Sequence, residues 1–284
     1  MQDLPFFNLS GPEFLNFFGV VVIAVLATTF LVIHFADRTG RRPPPPVPQT
    51  PDAMEVAYLQ GGVNQVIRTL VYDLDERGFV VLGPESRIVP TGAAPQSGDM
   101  NALELRVLEA VRNGPTAQEL LEDRSLRNAL EQQLQPVRDR LAADDLLQPP
   151  SVKVWRRRLE IIGAILIVAV AGVKLQMAFA EGQNVSYLLF LMVAAVAALF
   201  AEGYVLTRDA ASRRGQAYLE AMRVAYADRL KEALAHIRSP GPEARAFKGA
   251  SLFLIALYGF SVLKGTTEAK FPESFERASG AGDD

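Results

Sequence analysis

Long apolar runs divide this chain into segments that can cross a membrane and segments that cannot. Residues 14–36, 159–180 and 185–206 are each 22 or 23 residues long and carry almost no charge. A helix needs roughly 20 apolar residues to cross a hydrocarbon core of about 30 Å. The pattern therefore predicts a mainly α, polytopic membrane protein with three transmembrane helices.

A fourth apolar stretch, residues 249–263, is only 15 residues long. This is shorter than a spanning helix usually is. A crossing here would also put Lys264, Lys270 and Arg277 on the outer side, against the charge bias described below. We therefore expect a buried or interfacial helix, with a fourth transmembrane helix as the alternative.

The polar segment 52–150 has the pattern of a small cytoplasmic domain. Gly61-Gly62 interrupts its first helical stretch, and Gly78 ends that stretch as a C-cap glycine does. The order of elements is typical of a winged-helix-like module followed by a second helical half. The predicted elements are helices over 54–60 and 63–77, strands over 79–82 and 87–90, and helices over 103–112, from 115 onward and over 126–141.

A second polar segment, residues 207–246, contains a periodic apolar stripe that predicts one long amphipathic helix over 216–238. Its polar face mixes both signs of charge, whereas a helix lying on lipid is usually more basic. We expect the stripe to pack on the cytoplasmic domain, on the next segment or on another copy of the chain. The stripe consists of Leu219, Met222, Tyr226, Leu230, Ala233 and Ile237.

A Pro-rich tether, residues 37–51, joins the first apolar run to the domain. Six prolines between residues 41 and 51 favour an extended polyproline II strut. We interpret it as a spacer that holds the domain away from the membrane. The alternative is a ligand for an aromatic-lined groove in another protein.

Basic residues flank only one side of the three apolar runs. The opposite side, residues 1–13 and 181–184, has no Lys or Arg. By the positive-inside rule this bias predicts an external N-terminus and a cytoplasmic domain at the bacterial inner membrane. The basic flanks are Arg38, Arg41, Arg42, Lys153, Arg156, Arg157, Arg158, Arg208, Arg213 and Arg214.

Charged residues also occur within the apolar runs. Lys174 and Glu202 are near the ends of their segments, so we interpret them as interfacial anchors rather than an ion pathway. The second and third runs should form an antiparallel hairpin, with close approach at small residues. The expected rows are Ala194 with Ala198, and Ala197 with Ala201, facing Gly163 or Gly172.

The charge of the domain argues against nucleic acid as a partner. Residues 52–150 contain 16 Asp and Glu against 9 Arg, a net charge of −7, so the domain would repel a phosphate backbone. The partners we expect are the lipid bilayer and either a second protein or another copy of the chain.

Chemistry-bearing residues are few. The chain has no Cys, and its two histidines, His34 and His236, are far apart in sequence. No phosphate-binding loop, metal-ligand spacing or nucleophile motif is present. We therefore predict no catalytic, cofactor-binding or metal-binding residues and no enzyme activity. Two acidic pairs are expected to be solvated faces: Asp73 with Asp75, and Asp144 with Asp145.

Several short sequences in order resemble a family of uncharacterised bacterial membrane proteins, whose members often end in a Gly/Cys-rich tail. That tail is absent here. The resemblance implies no catalytic residues, because the activity of the family is not established. The matching stretches are Gly11-Pro12-Glu13-Phe14-Leu15, Glu55-Val56-Ala57-Tyr58-Leu59-Gln60-Gly61-Gly62, Arg77-Gly78, Thr207-Arg208 with Gly215, and Ala256-Leu257-Tyr258-Gly259.

The preferred functional hypothesis is a noncatalytic scaffold or adaptor that binds a protein partner through the acidic domain and the amphipathic helix. The alternative is a membrane signalling or regulatory protein that couples a membrane event to the tethered domain. Residues 264–284 form a C-terminal tail in this organisation, with an acidic and disordered end from residue 278.

Overall fold

The computed structural model describes residues 11–83, 86–93, 100–180, 186–206, 210–238, 248–263 and 270–278. These residues are mainly helical, as predicted. Several predicted features lie outside the described residues. They are most of the external N-terminus, the outer loop, the flanking Arg208, parts of the segments 207–246 and 264–284, and nearly all of the disordered end.

The elements occur in the following order. The N-terminal helices and strands are α1 (Gly11–Ala36), α2 (Ala53–Glu76), β1 (Val80–Leu82), β2 (Ile88–Pro90), α3 (Ala102–Ala110), α4 (Ala117–Glu122), α5 (Arg124–Gln133) and α6 (Gln135–Ala143). The later helices are α7 (Pro150–Ala180), α8 (Ser186–Leu206), α9 (Arg213–Ala225), α10 (Ala227–Arg238), α11 (Lys248–Tyr258) and α12 (Lys270–Ala278).

The chain divides into two compact units. The first, here called the apolar unit, comprises Met1–Arg38 and Pro149–Arg208. The second, here called the helical domain, comprises Thr39–Gln148 and Asp209–Asp284. Helices α1, α7 and α8 belong to the apolar unit, and all the other elements belong to the helical domain.

Helices α1, α7 and α8 contact one another in the apolar unit. Among the described residues two helical stretches are long and apolar enough to cross a membrane, Glu13–Ala36 and Pro150–Gln176, whereas the apolar stretch Ser186–Glu202 of α8 is shorter. A small core joins the three helices, while many large aliphatic and aromatic side chains face outward. The buried core consists of Phe14, Phe18, Ile167, Ala171, Ala195 and Leu199.

The contact between α7 and α8 differs from the predicted rows of alanine. Ala195 and Leu199 are the buried residues of α8, whereas the predicted rows of small residues are exposed. Gly163 is at the contact as predicted, because a Cβ atom there would lie 2.8 Å from Cγ1 of Val25 and 3.0 Å from Cδ2 of Leu199. Gly172 has no neighbour at this distance. One glycine therefore receives a leucine from α8, and a row of small residues is not needed.

Helix α2 of the helical domain is broken where the sequence predicts. Asp52 caps its start by accepting a hydrogen bond from the Met54 amide at 2.8 Å. Gly61 and Gly62 have non-helical backbone angles, and Gly62 has a φ of +63°. Gly78 has a φ of +79° just after the helix, as expected of a C-cap glycine.

The predicted hairpin is present but shorter than the sequence suggests. Strands β1 and β2 are antiparallel, with Val81 paired to Val89 and both side chains partly exposed. The Gly83 amide donates to the Arg87 carbonyl at 2.8 Å and closes the turn. The Ile88 amide donates to the carbonyl of Pro115, which ties β2 to the start of α4.

The predicted continuous helix over 126–141 is wrong. The structure has two helices, α5 and α6, which meet at Leu134. Pro136 lies in the first turn of α6, where its missing N–H leaves no donor unused. Proline therefore begins the second helix instead of interrupting one long helix. Capping boxes at Asn101 and Thr116 begin α3 and α4 in a similar local way.

The predicted single helix over 216–238 is also wrong. Helix α9 ends at Ala225 and α10 begins at Ala227. The carbonyl of Arg223 accepts a hydrogen bond from the Tyr258 hydroxyl at 2.6 Å, so a side chain from α11 occupies the last turn of α9. Leu219, Met222 and Tyr226 of the stripe are buried in the core of the helical domain, whereas Leu230 is half-buried.

The fourth apolar stretch lies in the core of the helical domain. Helix α11 packs along α2, and Leu254 to Leu257 are buried. The Gln65 side chain donates to the Ile255 carbonyl at 3.2 Å across this contact. Of the two placements considered from sequence, this one corresponds to the buried helix.

Part of the predicted C-terminal tail also contributes to the core. Phe271 and Phe275 of α12 are four residues apart, so both rings lie on one face of the helix. Both are buried, and their centroids are 5.4 Å and 5.3 Å from that of Phe260. The Tyr72 ring of α2 contacts Phe271 edge-on at 5.3 Å. Aromatic burial thus fixes a segment whose sequence was interpreted as a tail.

Candidate functional site

Three connecting segments of the helical domain meet at one place, here called the junction. They are Thr39–Pro43, Asp144–Gln148 and Ala210–Gly215. The first follows α1, the second precedes α7, and the third follows α8 after a few residues. Every connection between the two units therefore passes through the junction by covalent continuity.

Backbone hydrogen bonds join the second and third segments. Leu147 and Ala211 form an antiparallel bridge, and the Gln148 amide donates to the Ala210 carbonyl at 3.0 Å. The Ser212 amide donates to the Leu146 carbonyl at 2.8 Å. Two segments that are more than 60 residues apart in sequence thus form a short β-like ladder.

Ser212 is the central side chain of this ladder. Its hydroxyl donates to the Asp145 carbonyl at 2.6 Å and accepts a bond from the Gly215 amide at 3.0 Å. The second bond is an N-cap for α9. Because Ser212 is buried, losing its hydroxyl would leave polar groups without partners.

Arg214 links all three segments. Its Nε donates to the Pro43 carbonyl at 2.9 Å, and its terminal nitrogen donates to the Asp144 carbonyl. Its backbone amide donates to the Thr39 hydroxyl at 3.3 Å. The guanidinium group has several donors in a fixed geometry, so one side chain can bond to two carbonyls from different segments.

An ion pair adds a second link between the first two segments. Arg42 lies 2.6 Å from the Asp145 carboxylate, but the Arg42 side chain is 71% exposed. An exposed pair of this kind contributes about 0–1 kcal/mol. Asp145 has a φ of +56°, which turns the chain between α6 and the ladder. The pair Asp144/Asp145, predicted to be a solvated face, therefore contributes to the junction.

The packing at the junction leaves no space for a side chain at Gly215. A Cβ atom there would overlap the Leu146 carbonyl oxygen and lie 3.1 Å from Cβ of Ala211. This is a close approach of backbone to backbone, which only glycine allows. The amide of the same glycine is bonded to Ser212, so α9 cannot easily move away.

The Pro-rich tether is not a free strut. The Tyr226 hydroxyl donates to the Pro48 carbonyl at 2.7 Å and lies 3.2 Å from that of Gln49. Val47 packs against the core of the helical domain. The absence of proline N–H groups does not prevent their carbonyls from accepting bonds, and the sequence interpretation overlooked this.

The other residues singled out from sequence are spread over both units. The Lys174 ammonium lies 5.6 Å from the Phe14 ring centroid, and Glu202 is half-buried at the end of the packed face of α8. Glu160, which sequence analysis missed, is buried and lies 3.5 Å from Arg156 one turn earlier. The i, i+4 spacing of opposite charges was the available signal.

The described residues contain no group of three side chains that could hold a metal ion. His34 stacks on Phe30 in the apolar unit, while His236 belongs to α10 of the helical domain. The junction consists of backbone amides and carbonyls, the hydroxyls of Thr39 and Ser212, two guanidinium groups and the Asp145 carboxylate. Hydrogen bonds among these groups fix the three segments relative to one another.

No protein-family model, no curated protein and no solved structure matches the chain.

Proposed function

We propose that this chain is an integral protein of the bacterial cytoplasmic membrane in which α1, α7 and α8 all cross the bilayer. Helix α8 has 21 residues, which at 1.5 Å per residue span about 31 Å. Exposed aliphatic side chains on α1 and α7 suit a lipid environment. The basic flanks support an external N-terminus and a cytoplasmic helical domain. Helix α11 packs in the core of the helical domain, which supports three crossings rather than four.

We further propose that the protein is a noncatalytic regulatory protein that couples a change in its membrane helices to the helical domain. The junction is the observation that supports this proposal. Each of the three membrane connections enters the domain within a few residues of bonded backbone. We therefore expect a shift at the end of one helix to displace residues that are hydrogen-bonded to the other two connecting segments.

The bonds of the junction make such transmission physically reasonable. Ser212 and Arg214 begin α9, and α9 contributes Leu219 and Met222 to the domain core. A displacement of the third segment would move α9 as a packed rod, since protein interiors have little free volume. The coupling element is thus a helix that belongs to both the junction and the core.

Amide hydrogen exchange on the full-length protein in lipid nanodiscs tests the proposal. Gly163→Leu should separate α7 from α8, because even a Cβ atom at Gly163 meets Val25 and Leu199. We expect faster exchange at the Ser212 and Gly215 amides in this variant. Gly172→Leu, at a position with no near neighbour, is the matched control and should leave both amides unchanged.

Faster exchange within α7 and α8 but unchanged exchange at the junction would show that the two units are mechanically independent. The coupling proposal would then fail, although the membrane placement would stand. A response in both Gly163→Leu and Gly172→Leu would indicate a general loss of stability and would also count against it.

The adaptor remains a second candidate, with a different surface from the one expected. The stripe of Leu219, Met222 and Tyr226 is internal and cannot serve a partner in this structure. The hairpin instead presents Val81 and Val89, which are opposite each other and 44% and 40% exposed. Paired exposed valines next to an acidic domain suit contact with another protein.

A photoreactive amino acid at Val89 tests this second candidate in living cells. A discrete adduct from Val89 but not from Val224, which is exposed on α9, would support a partner at the hairpin. Equal labelling from both positions, or none from Val89, would remove the hairpin as a partner surface.

A further inference from the structure

A groove with one basic and one indole side chain lies at the end of α1 and the start of α7. It is a shallow groove that is open to the outside, with a volume of about 420 Å³. All of its residues belong to the apolar unit. The groove is lined by Leu31, Val32, Phe35, Ala36, Arg38 and Trp155.

The lining combines two kinds of chemistry. The walls are aliphatic and aromatic, with Phe35 at 68% and Trp155 at 48% exposure, which is high for side chains of this size. Arg38 supplies a cation next to these walls. No ion pair or hydrogen bond of the Arg38 side chain is found within the described part of the chain. A small soluble anion would gain little from so much apolar surface.

The surrounding charges favour an anionic occupant. Lys153, Arg157 and Arg158 are exposed on the same turns of α7 as Trp155. The Arg158 guanidinium lies 5.9 Å from the Trp155 ring centroid. The neighbouring Asp37 carries the opposite charge but does not line the groove. The walls of the groove are thus mainly apolar, and the exposed charged side chains on the neighbouring turns of α7 are basic.

The groove lies at the C-terminal end of a membrane-length stretch of α1. Its apolar residues end the 24-residue membrane-length stretch Glu13–Ala36, and its cation follows that stretch directly. Tryptophan and arginine are the side chains found at the boundary between acyl chains and headgroups. An amphiphile with an apolar chain and an anionic head matches this sequence of surfaces.

We propose that the groove binds one anionic phospholipid of the cytoplasmic leaflet. The phosphate lies on Arg38, and an acyl chain runs along Phe35 and Trp155. This proposal rests on the proposed membrane insertion of α1 and α7. A specific lipid site of this kind differs from the general attraction of the basic flanks to an anionic membrane surface.

Native mass spectrometry of the full-length protein in mild detergent tests the site. Phosphatidylglycerol and phosphatidylcholine with the same acyl chains are titrated separately. Both lipids offer a phosphate to Arg38, but the choline of phosphatidylcholine brings a second cation close to the guanidinium group. Because like charges repel, we expect one phosphatidylglycerol to bind at least roughly tenfold more tightly than phosphatidylcholine. Arg38→Gln should abolish that preference, and Arg38→Lys should retain part of it.

Arg157→Gln is the matched control, because it removes the same charge from an exposed residue that does not line the groove. It should weaken phosphatidylglycerol binding much less than Arg38→Gln does, because Arg157 adds only to the positive charge around the groove. Trp155→Ala should weaken the binding of both lipids, since it removes an apolar side chain that lines the groove. Circular dichroism of each variant checks that its helix content is intact.

Equal losses in Arg38→Gln and Arg157→Gln would mean diffuse attraction and would overturn the site. Equal affinity for the two lipids in the unaltered protein would overturn anion recognition while leaving membrane insertion intact. A protein that stays soluble and monodisperse without detergent and binds neither lipid would instead refute the proposed membrane insertion.

Discussion

Gly215→Ala is the smallest change that should damage the junction. The added methyl group would overlap the Leu146 carbonyl oxygen, which also accepts the Ser212 amide bond of 2.8 Å. Relief requires α9 to move away from the ladder. That movement would strain the 2.6 Å bond from the Ser212 hydroxyl to the Asp145 carbonyl.

The expected cost follows from these contacts. Overpacking of a tight site costs typically 1–3 kcal/mol. Loss of an N-cap bond costs a further 0.5–2 kcal/mol or so. Alanine recovers about 1 kcal/mol relative to glycine within a helix. The net loss is therefore about 0.5–4 kcal/mol, and its central value of about 2 kcal/mol corresponds to roughly 4–8 °C in the unfolding midpoint of a domain of this size.

Thermal unfolding in mild detergent, followed by circular dichroism, measures this loss. Gly172→Ala is the control, because a Cβ atom there meets no neighbour within 4 Å and should leave the midpoint unchanged or slightly higher. A midpoint for Gly215→Ala equal to that of the unaltered protein would mean that the Leu146 carbonyl is not packed on α9. That result would contradict the packing described for the junction.

Three further predictions concern the helical domain. Burial raises the pKa of Glu55 despite the nearby Arg140, so the ionised carboxylate destabilises the fold once the pH exceeds the folded-state pKa. Glu55→Gln should raise the unfolding midpoint at neutral pH, and the gain should vanish below the ordinary pKa of 4.5. Leu257→Ala should cost about 2–5 kcal/mol in denaturant unfolding, because this side chain is fully buried, whereas a lipid-facing residue would cost little. Tyr226→Phe should cost about 1 kcal/mol and speed protease cleavage within residues 42–51, because Pro48 loses its donor; unchanged cleavage would argue for a tether that is free in solution.

Local signals in the sequence were enough for several elements. Gly61 and Gly62 break α2 because glycine tolerates backbone angles that a helix excludes, and Gly78 follows the same rule. The β1–β2 hairpin follows from β-branched residues around a tight turn. These features depend on residues within a few positions of each other, so the sequence alone can indicate them.

Long-range contacts explain most of the errors. The Tyr258 hydroxyl donates to the Arg223 carbonyl, 35 residues earlier in the chain. This bond accounts for the break between α9 and α10, which the periodicity of apolar residues did not predict. Phe271 and Phe275 are buried because they pack against the rings of Tyr72 and Phe260. The i, i+4 spacing of the two phenylalanines indicates an apolar face, but it does not show which part of the chain covers that face.

The junction was likewise hidden from sequence analysis. Arg214 reaches a carbonyl 171 residues earlier in the chain, and Ser212 reaches one 67 residues earlier. In the sequence both are ordinary polar residues next to an apolar run. Arg213 and Arg214 were counted only for their charge, while the donor geometry of Arg214 is what gives it a structural role.

The sidedness of the connections is the most direct test of the account. Because the chain has no native cysteine, single cysteines at Gln132, Glu220 and Asn184 can be labelled in intact bacterial cells with an impermeant thiol reagent. Three crossings with a cytoplasmic domain predict labelling at Asn184, and labelling at Gln132 and Glu220 only after permeabilisation. If Gln132 and Glu220 were labelled on opposite sides of the membrane, the three connections could not meet at one junction.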